Sequence, residues 1–269
     1  MSFGLGHGKA IDDAPGVVGI SRDELGPLPD EVLTDPEAAR IDPRIWFQDP
    51  AAPLEIEIGS GKGTFLIQQA ELSPETNYLG IEWAGEFYPY AADRVRRRRD
   101  ADKLLNVRML RDDATEFLRW RCAPETVRVI HLYFSDPWPK ARHHKKRVIQ
   151  HAFLGDAWRA LEPRGELRVV TDHDGLWTWN QAHFQYWTEP GKSNEIPGAE
   201  SLPDQPFERA EFVRPPSAGE GEMVGTNYER KFRVEGRAFH ACTLIKRDTR
   251  IKRTHDQTPG SAPRSGGTP

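Results

Sequence analysis

Between residues 54 and 171 the chain alternates short apolar runs with stretches of helical spacing, and this alternation constrains the fold more than any other feature. Leu54–Ile58, Tyr78–Glu82, Val107–Leu110, Val127–Phe134 and Leu167–Thr171 read as buried strands. The first gap, Thr64–Leu72, places Phe65, Leu66, Gln69 and Leu72 at helical spacing, and Asp113–Trp120 puts Phe117 and Trp120 on one side. Strand and helix in repetition predict an α/β fold with a doubly wound, mostly parallel sheet. Past Thr171 the pattern loosens across the Pro-, Gly- and Glu-rich stretch Glu189–Glu222, before a β-like run at Phe239–Ile245. That region is where antiparallel strands at one end of the sheet would arise.

A length of 269 residues suits one large domain, read here as 51–246, behind an irregular arm over 1–50 that is partly ordered near Ile45-Trp46-Phe47. Residues 247–269 read as a disordered tail. No apolar run approaches the roughly 20 residues that cross a bilayer, and the start lacks a secretory pattern, so the expected location is the cytoplasm. Cys122 and Cys242 stand far apart without the spacing of a zinc or redox pair, and buried free thiols are expected. The formal net charge of −4 excludes a globally basic nucleic-acid binder, yet the cations are bunched.

Leu54–Ile58 runs into Gly59-Ser60-Gly61-Lys62-Gly63, a strand entering a glycine turn that opens a helix and lets a ligand approach bare backbone. A phosphate-binding P-loop needs Ser or Thr after Lys62, where Gly63 stands. A dinucleotide fingerprint needs its third glycine at Thr64, and Glu55 and Glu57 would face a pyrophosphate poorly. S-adenosylmethionine, cationic and without phosphate, suits carboxylates beside such a turn. Glu82 stands 19 residues past Gly63, near the offset at which an acid reaches ribose hydroxyls. Asp113 follows a strand and is placed either to accept from an adenine amino group or simply to cap the next helix.

The segment His131–Lys140 leads from a strand into Asp136-Pro137-Trp138-Pro139, where each proline fixes φ and extends the residue before it. Most Asp-Pro pairs are plain turns. Here Lys140, Arg142, His143, His144, Lys145, Lys146 and Arg147 follow at once, a cationic stretch suited to phosphate contacts. Adjacent histidines lack the spacing of a helical metal pair, and no metal is assigned. Arg94 and Arg96–Arg99 end a predicted helix, where arginines complement the dipole, with RNA contact as the lesser reading. Trp138 either walls a pocket or stacks on a base.

Glu57-Ile58-Gly59-Ser60-Gly61, Gly80-Ile81-Glu82, Asp136–Lys140 with Arg142–Arg147, Val170-Thr171-Asp172 and Thr226-Asn227-Tyr228-Glu229 together resemble the bacterial tRNA (guanine-N7-)-methyltransferases over roughly residues 53–246. The resemblance implies a Rossmann-like class I methyltransferase domain with a seven-stranded sheet and helices on both faces, acting on a guanosine in the tRNA variable loop. It also implies that Glu57, Gly59, Gly61, Glu82, Asp113 and Asp136 bind S-adenosylmethionine. Lys140, Asp172, Thr226, Asn227, Tyr228 and Glu229 match substrate-binding positions, and Arg142–Arg147 match a tRNA-contacting segment. Asp136 is the foremost catalytic candidate, with Glu229 and Asp172 holding the base. The first 50 residues are longer and more irregular than the family core requires, the tail after Arg247 has no counterpart in it, and the protein is expected to be a monomer or a homodimer. A methyltransferase for another RNA or a small metabolite, which has no use for the basic stretch, and a non-catalytic RNA-binding protein, which has no use for Glu57 and Glu82, are the competing readings.

Overall fold

β1 (Leu54–Ile58) is buried at all five residues because strands flank it on both edges and helices cover both faces. The computed structural model describes residues 11–198 and 201–248, and these form one seven-stranded sheet in the order β3-β2-β1-β4-β5-β7-β6. β2 (Asn77–Ile81), β3 (Val107–Leu110), β4 (Val127–Tyr133) and β5 (Leu161–Thr171) run parallel to β1. β7 (His240–Lys246) is antiparallel to β5, and the short edge strand β6 (Phe207–Ala210) is antiparallel to β7. Strand order reverses between β1 and β4, so a crevice opens at their carboxyl ends.

Two helices, α2 (Thr64–Leu72) and α3 (Phe87–Arg99), lie over β1, β2 and β3 on one face, where Leu66, Ile67, Ala91 and Val95 pack with Tyr78 and Met109. The other face carries α4 (Ala114–Glu116), α5 (His151–Ala160) and α6 (Asp174–Thr188), through Phe117, Phe153, Leu154, Phe184 and Trp187. Close to β4 and β5 the first face is closed by Phe212, Met223 and Val224 against Phe65 and Tyr133, and α7 (Asn227–Val234) follows.

The doubly wound sheet agrees with the alternation read from sequence, and several details differ. β5 begins at Leu161, because Pro163 and Gly165 sit in an irregularity of its pairing with β4 that hides the strand's first half. Leu72 is 57% exposed, whereas Ile67 and Ala70 join the buried face of α2. After α4 the backbone widens into a π turn over Phe117–Arg121, which buries Phe117 and Leu118 and leaves Trp120 partly exposed, so Phe117 and Trp120 do not share a face.

The described part of the arm packs tightly. α1 (Arg22–Leu25) has a capping box built by Ser21 and Glu24. Gly19 bridges Met109 beside the β3 edge, and the buried Arg108 ties Glu24 to the carbonyls of Val18 and Trp46. Trp46 and Phe47 enter the main core while Ile45 stays exposed. Residues 249–269, most of the expected tail, lie outside the described residues. Both cysteines are buried and unbridged, and among the described residues no helix is long and apolar enough to cross a membrane.

Candidate active site

The chain leaves β1 through Gly59, Gly61 and Gly63 at φ +71°, +54° and +67°, left-handed geometry that side chains resist. The N–H groups of Gly59 and Ser60 donate to the Ile81 carbonyl at 2.9 and 3.2 Å, folding the turn against the end of β2. Glu82 anchors it: one carboxylate oxygen accepts from the Gly61 N–H at 2.7 Å, and the other from the Ala84 N–H at 2.7 Å. Above the turn opens a cavity of about 240 Å³. Glu57, Gly59, Ser60 and Gly61 form its base, Phe65, Phe87, Tyr133 and Phe134 its aromatic walls, and Thr226, Asn227, Tyr228 and Lys231 the side contributed by α7 and its cap.

Glu57 is 4% exposed, and its Oε2 has no hydrogen-bond partner among the described residues; neither has the buried Ser60 Oγ beside it. Burial, and then the charge of Glu82, raise its pKa well above the ordinary carboxylate range. A buried acid without a counter-charge is costly, and a cationic ligand relieves that cost. These groups therefore fit S-adenosylmethionine: Glu57 and Ser60 have polar atoms to offer an amino group, and the rings give a positive centre an aromatic surround.

The Thr226–Glu229 segment closes one side. The Thr226 hydroxyl caps α7 by accepting from the Glu229 N–H at 3.0 Å, and the Asn227 amide donates to Thr64 Oγ1 at 2.9 Å, pinning α7 to the start of α2. Tyr228 is 43% exposed and lines the cavity; burial, and then the charges of Glu82, Glu86 and Asp136, raise its pKa. Glu229 does not fit the base-holding part read from sequence. It is fully buried, and its carboxylate accepts from the N–H groups of Met223, Val224 and Gly225 and from Arg233. Burial alone would raise its pKa, but these donors hold it below the ordinary value, so it is a latch that shapes the Met223–Gly225 turn. Asp172 is likewise engaged, in an ion pair with Arg237.

Asp136 is exposed and does not itself line the cavity; it lies within electrostatic reach of Tyr228, which does, and its Oδ1 accepts from the Trp138 N–H at 3.2 Å. Lys140, Arg142, Lys145 and Lys146 are exposed, His143 and His144 half-buried. His143 meets the Trp138 ring edge-on, and Lys146 Nζ lies 4.6 Å from that ring. Arg147 departs from its neighbours and from the phosphate-contacting part expected of it. It is 4% exposed, donates from Nε to the Pro137 carbonyl at 3.0 Å, reaches the carbonyls of Trp138 and Gly175 at 3.5 Å, and lies over Trp179. A guanidinium so occupied props the Asp-Pro-Trp loop against α6. Asp113 caps α4, accepting from the N–H and hydroxyl of Thr115 at 2.8 and 2.6 Å, and does not line the cavity.

Sequence reasoning missed Ser60, Phe87, Tyr133 and Phe134. It also missed a buried relay in which Glu55 meets His131 at 2.8 Å and His131 meets the Tyr133 hydroxyl at 2.8 Å. The available signal was periodicity, since Glu55 and Glu57 share one face of β1, and His131 and Tyr133 share one face of the adjoining β4. Among the described residues no group of three or more potential metal ligands is gathered.

A Rossmann-like sheet whose switch point carries an acid-lined glycine turn and an aromatic cavity defines a class I methyltransferase that uses S-adenosylmethionine. Comparison with known proteins agrees and narrows the class. Residues 51–240 match the family model described as "Putative methyltransferase". A tRNA (guanine-N(7)-)-methyltransferase of Treponema pallidum is 35% identical over 72% of this chain and 68% of its own length. One from Geobacillus kaustophilus is 31% identical over 84% of this chain and 94% of its own. This chain belongs to the tRNA (guanine-N(7)-)-methyltransferase family.

Proposed function

We propose that this protein transfers the methyl group of S-adenosylmethionine to nitrogen 7 of a guanosine in the variable loop of tRNA, working as a cytoplasmic enzyme. The observation that carries the reading is the uncompensated acid Glu57 beneath an aromatic cavity, in a chain that places the exposed cations Lys140, Arg142, Lys145 and Lys146 just after Asp136. Bound there, S-adenosylmethionine supplies an electrophilic methyl group on a sulfonium.

Guanine nitrogen 7 offers an in-plane lone pair and has no proton to lose, so no general base is required. The chain's work is alignment and charge. Glu57, Glu82 and the Gly59–Gly61 backbone hold the cofactor, and Asp136 holds negative charge beside the ring that becomes positive. Tyr228, which lines the cavity, bounds the base, Trp138 beside Asp136 serves as a wall or a stacking ring, and Lys140–Lys146 orient the phosphates. With Glu229, Asp172 and the Asn227 amide all engaged, positioning of the base falls to Asp136 and Tyr228.

Incubation of the purified protein with unmodified tRNA and labelled cofactor, followed by nucleoside mass spectrometry, is expected to yield 7-methylguanosine in the variable loop. Asp136→Ala is expected to lose about 100-fold or more in turnover, as for removal of a group that stabilises developing charge, while its circular dichroism spectrum stays native. Near-normal turnover in that variant removes Asp136 from the chemistry, and no methylated tRNA from wild type removes the function.

A further inference from the structure

Lys62, Thr64 and Asn227 line two hollows at once, the cavity described above and a second, polar groove of about 490 Å³ on its outer lip. This groove runs between α2 and α3 and the first turns of α7. Lys62, Arg94, Arg98 and Arg230 line it with Tyr90, and Glu71 is the one carboxylate among its described lining residues. Glu71, and Glu222 from outside the lining, answer two of these four cations, and the positive charge left in excess is one that an anion corrects.

Arg94 is one of these lining cations. The guanidinium donates to the Lys62 carbonyl and to Thr64 Oγ1 at 3.3 Å, and no carboxylate pairs with it among the described residues. Burial, and then the charge of Arg98, lower its pKa. Lys62 Nζ and the Arg94 guanidinium approach the Tyr90 ring at 5.6 and 6.0 Å, so both charges converge on one aromatic surface. Arg98 meets Glu71 at 3.1 Å, and Arg230 meets Glu222 at 2.6 Å. The Arg98–Glu71 pair is exposed on both sides, so it contributes little and a phosphate can draw Arg98 away at small cost; Arg230 stays bound to both oxygens of the largely buried Glu222 and offers a phosphate its 44% exposed side chain.

We propose that this groove is a phosphodiester site that holds the tRNA backbone on the far lip of the cofactor cavity. The Lys140–Lys146 stretch follows β4, whereas the groove lies over the helices that follow β1 and β2, so the two basic surfaces flank the switch point from different sides. A polymer held on both lips presents one nucleotide to the cavity between them. The proposal rests on the tRNA reading above.

The test is the affinity for unmodified tRNA across a salt series, for wild type, Arg94→Gln/Arg230→Gln and Arg94→Lys/Arg230→Lys. The Gln pair is expected to bind several-fold more weakly, with a log–log salt slope shallower by about 1–2, in keeping with one or two lost phosphate contacts. The Lys pair keeps the charges and is expected to keep most of the slope, and both variants are expected to bind S-adenosylhomocysteine like wild type. Wild type without salt-dependent tRNA binding defeats the tRNA reading and this site with it. Normal wild-type binding with an unchanged slope in the Gln pair defeats the site alone. In a parallel arm, inorganic phosphate that raises the thermal midpoint of wild type but not of the Gln pair, while tRNA slopes coincide, marks a small-anion site and overturns the RNA assignment.

Discussion

Glu55 and Glu57 stand two residues apart on the same face of β1, both buried, and they meet opposite fates. Glu55 accepts from Arg128 and meets His131, and although burial would raise its pKa, those partners pull it down to about 2. One pleat nearer the cleft, Glu57 keeps an oxygen without a partner, and burial with the charge of Glu82 drives its pKa up. The lower half of this face is electrostatically complete; the upper end is not. Structural acids bring their donors with them, whereas an acid that awaits a ligand is left short of one.

Glu55→Gln tests the completed half and carries the largest expected effect. Removing one partner of a buried, hydrogen-bonded ion pair costs about 3–5 kcal/mol, so denaturant unfolding is expected to show a loss of that order. The stabilisation linked to Glu55 is fully present above its ordinary value of 4.5 and is lost as pH falls toward about 2. The Gln variant therefore has a flatter acid limb than wild type, and equal acid limbs would remove Glu55 from the network.

At the open end the expected sign reverses. The pKa of Glu57 is raised, so its contribution to stability is fully present below 4.5 and is lost as pH rises through its elevated folded value. Glu57→Gln is expected to lift the thermal midpoint of the ligand-free protein at neutral and alkaline pH, while weakening S-adenosylhomocysteine binding about 10–100-fold, the span of a lost hydrogen bond to a charged group. Calorimetry in buffers of different ionisation enthalpy is expected to show that wild type releases protons on binding and the variant releases fewer. A variant that loses stability and binds normally would erase the contrast with Glu55.

Arg147 sharpens the same distinction among cations, with the smallest effect. It is occupied like Glu55, whereas Lys145 and Lys146 are exposed. Arg147→Lys is expected to lower kcat about tenfold, about 1.4 kcal/mol in barrier, through a loosened Asp136 loop, with KM for tRNA and its salt dependence little changed. Lys145→Ala/Lys146→Ala is expected to do the reverse, and a shallower salt slope in the Arg147 variant would return it to the phosphate contacts.

Residue order alone made much of this legible. The alternation from Leu54 to Thr171 announces a parallel sheet because a period of two and a period of 3.6 cannot be confused over such lengths. Gly59–Gly63 announces a turn of left-handed glycines, and Lys140–Lys146 a mostly exposed cationic stretch. That Glu57 and Glu82 meet the glycine turn follows from their places at strand ends, Glu57 lining the cavity and Glu82 holding the Gly61 N–H, whereas Asp136 stands outside the lining. Folding alone decided which charges remain available. Glu229, Arg147 and Arg94 are all charged residues beside the site, yet the first two are consumed by backbone groups brought close in space, and the third, though it also donates to the Lys62 carbonyl, lines a groove whose other walls come from α2 and α7. A hydrogen bond within a buried turn or between distant segments depends on orientation and burial, and neither is written in the spacing of residues along one chain.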